Sequence, residues 1–205
     1  MTVRVEEEIW VLSERLTVLK PVFEELGKVH QEYINRVIDD SPYWYRERAH
    51  IGFLAAAIGR GGGITLEEYG TKKNKQGRPK QDEPKHGRCD LYIQFEQAEF
   101  QCEAKCVRLL NHVRDKFREA VNDTRALVHD SNEKRLALLF FTPTIHESKF
   151  DRYYQDDLPK WKTELTKQCR GCDAMIWIGV RDWQDAPRDS RKHIHANLLL
   201  VAKVV

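Results

Sequence analysis

The chain has 205 residues, of which 41% are hydrophobic and 32% charged. That is an ordinary globular composition, neither disordered nor collagenous, and long enough for one sizeable domain with a buried core. The formal net charge is only +2, so any affinity for nucleic acid has to come from local clusters of cations rather than from a global basic field.

No apolar run approaches the roughly 18 residues needed to cross a membrane, and the opening MTVRVEEEIW is acidic where a secretory leader would be basic and then apolar. The expected location is therefore cytoplasmic, with no membrane partner. The five cysteines are odd in number and several lie in strand-like segments, so they read as reduced thiols rather than a disulfide framework.

Val5, Ile9, Leu12, Leu16 and Leu19 recur at spacings of four and three, and after Pro21 the series continues through Val22, Leu26, Val29 and Tyr33. This predicts two amphipathic helices broken at the proline, an N-terminal helical arm over residues 1–40 preceding a domain over 41–205. The arm's apolar stripe suits a coiled-coil dimer seam or packing back onto the chain's own domain. Ser41-Pro42 opens the next predicted helix, which the glycine-rich stretch from Gly59 to Gly63 ends. Glu47, Ile51, Leu54 and Ile58 share one face of it, so the carboxylate on that apolar stripe needs a partner or a cation. A strand-like ITLEEYG follows. Residues 70–88 then hold seven Lys and Arg (Lys72, Lys73, Lys75, Arg78, Lys80, Lys85 and Arg88) against Asp82 and Glu83, a local +5 in a Gly- and Pro-punctuated loop. That loop is either a solvated connection or a phosphate-contacting surface.

The segment CDLYIQFEQAEFQCEAKCV alternates apolar and polar residues twice around a short turn, which predicts a β-hairpin with one polar face. A turn at Gln97-Ala98 would set Asp90 opposite Lys105 and Glu103 opposite Tyr92, with Asp90 and Glu103 diagonal neighbours on one face. A helix from Arg108 to about His129, carrying Arg114 and Arg118, and a buried strand RLALLFFT come next. A charged helix over about 148–167 and the strands AMIWIGV and IHANLLLVAKVV complete a mixed α/β sheet flanked by helices.

Two carboxylates about 5 Å apart repel by roughly 3 kcal/mol at an effective dielectric near 20, so a fold that holds Asp90 beside Glu103 gains from a divalent cation between them. Mg²⁺ suits such a pair because it takes hard oxygen ligands and keeps several of its waters. Lys105 lies on the same polar face. Asp90, twelve intervening residues, then Glu103-Ala104-Lys105 on the next strand, preceded by a helix bearing Glu47, resembles the PD-(D/E)xK nuclease superfamily. The likeness spans about residues 43–141, although Cys89 stands where the motif has proline.

The resemblance implies a restriction-endonuclease-like fold in which Asp90, Glu103 and the carbonyl of Ala104 bind Mg²⁺, with Mn²⁺ also accepted. It further implies that Lys105 assists the attacking water and that Glu47 completes the site. Similar proteins hydrolyse DNA phosphodiester bonds as restriction enzymes, repair and recombination nucleases and phage-defence effectors. Double-stranded DNA is the expected substrate. A symmetric dimer is favoured because it presents two sites, and a partner subunit that activates the chain is the alternative.

The same residues also admit plainer readings. Asp90 and Lys105 would make an ordinary cross-strand ion pair, Glu67 or Glu68 would replace Glu47 as third acid, and His50 would be packing. Cys169 and Cys172 form a CxxC, but the other cysteines alternate onto an apolar face, so a zinc site would need His193 and His195 to converge on it. Lys72, Lys73, Lys75, Arg78, Lys80, Arg114 and Arg118 are the candidate DNA-contacting cations.

Overall fold

A computed structural model describes residues 4–37, 40–73, 85–128, 132–149, 158–180 and 190–205. Strand β1 (Val5–Leu12) occupies the stretch whose apolar spacing predicts a helix. Its antiparallel pairing with β7 (Ala174–Val180) is bulged between Ile9 and Val11. A strand turns alternate residues to one face, and one bulged residue reverses the alternation. Val5 and Ile9 before the bulge and Leu12 after it therefore reach the same core, at the four-and-three spacing that a helix would produce. Trp10 turns the other way and stacks on Trp177, with ring centroids 5.9 Å apart.

A 3-10 segment, Glu14–Leu19, leads into helix α1 (Lys20–Arg36), with Pro21 in the first turn where its missing N–H is harmless. Leu16, Phe23 and Leu26 lie in one core with Leu54, Leu91, Phe140 and Leu200. The first of the two helices expected over 1–40 is thus corrected to an edge strand, and the apolar stripe packs back onto the chain's own core, one of the two packings expected for it. The apolar stripe of α1 is consumed in its own core, so it does not serve as a dimer seam. Leu26 is 0% exposed, and Leu26→Ala should cost about 3 kcal/mol in urea unfolding. An independently folded arm would leave the main unfolding transition unmoved.

Helix α2 (Glu47–Arg60) joins α1 on one face of the sheet. The chain then forms β2 (Ile64–Lys73), β3 (Lys85–Phe95) and β4 (Ala98–Val107), helix α3 (Val113–Ala126) and β5 (Glu133–Phe141). After a small separate sheet of β6 (Ile145–His146) with β8 (His193–Ile194), α4 (Leu158–Gln168) joins α3 on the opposite face. Strand β9 (Asn197–Val204) completes a seven-stranded sheet in the order β1-β7-β9-β5-β4-β3-β2. Every pairing in it is antiparallel except β4 with β5, which α3 connects. Central β5 is buried on both faces from Leu136 through Phe141, which is why it reads as an uninterrupted apolar run.

The β3–β4 turn falls at Glu96-Gln97, and pairing runs from Phe95↔Ala98 to Leu91↔Cys102. This is two residues from the expected register, so Tyr92 faces Gln101 rather than Glu103. A shift of two leaves every side chain on its face. The turn has no glycine or asparagine to mark it in the sequence, and Glu96 supplies the left-handed conformation, φ 54°, that such turns favour.

Candidate active site

Beyond Leu91↔Cys102 the pairing of β3 with β4 stops, while β2 and β3 stay paired to Lys73↔Lys85. The β2–β3 ribbon leaves the sheet there and leans towards the end of α3, where Val128 N–H donates to the Lys72 carbonyl at 2.9 Å and Lys73 bridges Leu127. The first N–H of β4 that would have continued the ladder, that of Ala104, is taken by a side chain instead. Asp90 Oδ2 accepts from Ala104 N–H at 2.7 Å. A motif acid therefore holds the strand edge where the ladder ends.

The observed register projects Asp90 across from Glu103, where Tyr92 is expected, so Lys105 is not the residue opposite Asp90. Lys105 instead reaches α3, with Nζ 2.8 Å from Asp123 Oδ2. Burial works against its charge, but the Asp123 hydrogen bond and the charges of Asp123, Glu47 and Asp90 outweigh burial and raise its pKa. Glu103 is 3% exposed and meets Lys73 from β2, Nζ to Oε1 2.7 Å. Burial, aided by the Asp90 charge, pushes the Glu103 carboxyl up to about 7 in spite of that lysine. The Glu47 carboxyl is also raised, first by burial and then by Asp90.

A cavity of about 400 Å³ opens beside these acids, lined by Glu47, Arg48, Ile51, Glu67, Glu68 and Asp90. Glu68 is bound by Arg48 and by Arg88, the latter at 2.9 Å, which leaves Glu67 and Glu47 as the acids on the cavity wall with Asp90. His50 is buried and stacked on Phe140 at 5.3 Å, and burial lowers its pKa to about 3. Cys172 N–H donates to the Cys169 carbonyl in the turn after α4, with Cys169 packed in the core on that face.

Of the expected DNA-contacting cations, Lys72 is exposed and Lys73 is engaged by Glu103. Arg114 and Arg118 lie on the exposed face of α3, where Arg118 is 3.9 Å from Asp115. Lys75, Arg78 and Lys80 lie outside the described residues. Sequence reasoning missed Asp123 and the Lys73–Glu103 contact. Asp123 lies 18 residues from Lys105 and Lys73 lies 30 from Glu103, so only the packing of α3 on β4 and the lean of the ribbon bring them together.

Among the described residues, no three His, Cys, Asp or Glu side chains converge as a metal cage. Mg²⁺ does not need one, since one or two carboxylates with waters and a substrate phosphate suffice. Buried Glu103 and half-buried Asp90, whose charge acts on it, fit that donor set, provided a cation replaces Lys73 at Glu103. Among the described residues no helix is long and apolar enough to cross a membrane. No protein-family model, no curated protein and no solved structure matches the chain.

Proposed function

We propose that this chain is a divalent-metal-dependent hydrolase of DNA phosphodiester bonds, of the PD-(D/E)xK type. The observation that carries the reading is the projection of buried Glu103 and of Asp90 from adjacent strands at the point where those strands part, with Lys105 and Glu47 in the electrostatic environment of Asp90. Asp90, Glu103 and the Ala104 carbonyl would hold Mg²⁺, which when bound neutralises charge developing on phosphorus and eases deprotonation of water.

The chain's own side chains do the rest. Lys105 keeps its proton and offers an ammonium to the attacking water or to the phosphoryl oxygens. Asp123 aims that ammonium by holding it from α3. Glu47, on the cavity wall with Asp90, adds negative charge beside it, which favours a cation there. Arg48, at the start of α2 on the cavity wall, and exposed Arg88 would meet phosphates flanking the cut by exchanging Glu68 for them.

The test is cleavage of supercoiled and linear plasmid with Mg²⁺, Mn²⁺ or EDTA. Metal-dependent cutting is expected, and Lys105→Ala should lower its rate roughly 10²- to 10³-fold with Mn²⁺ uptake unchanged. Absence of cutting by the pure wild-type chain would sink the unassisted hydrolase. It would favour a DNA-binding or partner-activated chain of the same architecture, a reading supported by the protein partners that both motif acids already have in Ala104 and Lys73.

A further inference from the structure

We propose that Lys73 is an exchangeable counter-ion for Glu103, which couples loading of the divalent cation to binding of a nucleic-acid phosphate. The proposal rests on the hydrolase reading above and names how that site is regulated. The Lys73 ammonium lies 2.7 Å from Glu103 Oε1, with the lysine side chain 30% exposed and the glutamate side chain 4% exposed. A phosphate can therefore meet Lys73 from solvent, and a cation that binds Glu103 through Oε1 has to take the place of Lys73.

The path of the lysine is built into the ribbon. Lys73 is the last residue of β2, and its stem runs across β3 at Gly87. A Cβ on Gly87 would fall 2.9 Å from Cγ of Lys73, so the absence of a side chain there makes room for the reach to Glu103. Lys105 does not compete for the same carboxylate, because Asp123 holds it at 2.8 Å. Each acid–lysine contact thus has its own owner, and the Glu103 contact is the one exposed to substrate.

The exchange conserves charge. Without substrate, Lys73 neutralises Glu103. When a phosphate of the bound strand takes the ammonium, Glu103 is left as a buried carboxylate with Asp90 across from it, and a divalent cation then restores balance. By linkage, DNA tightens the metal and the metal tightens DNA by the same factor. The device keeps the site unloaded until a strand lies across it.

Calorimetric Mn²⁺ titrations test the coupling. They use the full chain alone and with a non-hydrolysable phosphorothioate duplex, corrected for Mn²⁺ uptake by the duplex itself. Wild type should bind Mn²⁺ about tenfold more tightly with duplex than without. Lys73→Met should bind Mn²⁺ about tenfold more tightly than wild type in the absence of DNA, with the duplex adding less than about threefold. Gly87→Val, which displaces the lysine stem by a different route, should move in the same direction, and Lys73→Arg should keep the wild-type coupling.

Equal Mn²⁺ affinity in wild type and Lys73→Met, with binding abolished in Glu103→Gln, would overturn the exchange and leave the hydrolase site standing. No Mn²⁺ uptake by any of these proteins, with or without duplex, would remove the metal site and the exchange together.

Discussion

Glu103→Gln should abolish metal-dependent cleavage by about 10⁴-fold or more, a loss above about 5 kcal/mol of transition-state stabilisation, and should at the same time make the protein harder to unfold at pH 8. The two effects share one cause. Glu103 is buried, and its carboxyl is pushed from 4.5 up to about 7 by burial and by Asp90, with Lys73 only partly compensating. The unfolded chain releases this proton near its ordinary value, while the folded chain keeps it to about 7. Between those values the folded state binds more protons, so stability falls as pH rises from about 4.5 to about 7, and the penalty is complete above 7.

The glutamine introduced by Glu103→Gln would have no charge to desolvate, and its side-chain oxygen can still accept from Lys73. The gain at pH 8 should be roughly 1–3 kcal/mol, read as a rise of several degrees in Tm, and should shrink towards zero near pH 4.5. Thermal unfolding at pH 4.5 and pH 8, beside the plasmid assay, measures both effects. Equal Tm values at pH 8 would mean that Lys73 fully compensates the buried carboxylate, and an active variant would remove Glu103 from the chemistry.

The strands that form the sheet's interior were legible because their residues are apolar on both faces, as in Leu136–Phe141 and Leu198–Ala202, or alternate cleanly, as in β3 and β4. The faces of Asp90, Glu103 and Lys105 were legible for the same reason, since side-chain direction depends only on parity along a strand. Register was not. The residues Glu96-Gln97-Ala98 contain no turn-specific residue, and a slip of two costs nothing in the hydrophobic pattern.

Strand β1 was misread because its bulge at Trp10 converts a period of two into the spacing of a helix. No local pattern separates those cases. What separates them is that β7 needs a neighbour on its outer edge. The partners of the two lysines were hidden for a related reason. Lys105 meets Asp123, and Lys73 meets Glu103, only after α3 has packed on the sheet and the β2–β3 ribbon has left it.

Asp90 carries a structural duty and a proposed chemical one, and two substitutions should separate them. Asp90→Asn retains a side-chain oxygen that can accept the Ala104 N–H, now bound at 2.7 Å. Asp90→Ala leaves that N–H without its acceptor on a residue only 1% exposed, at a cost of about 1–3 kcal/mol. Stability should therefore fall in the alanine variant and stay near wild type in the asparagine variant.

Cleavage should fail equally in both, by about 10³-fold or more, because neither replacement supplies the negative oxygen that a hard cation prefers. Losing the Asp90 charge also removes one of the influences that raise the Glu47 and Glu103 carboxyls, so Glu103 should ionise at lower pH in both variants. Urea unfolding and plasmid cleavage on the same preparations give the two readouts. An active Asp90→Asn chain would restrict Asp90 to bracing the edge of β4 and shift the metal reading to Glu103 and Glu47, whereas an inactive but fully stable one would assign the charge itself to the chemistry.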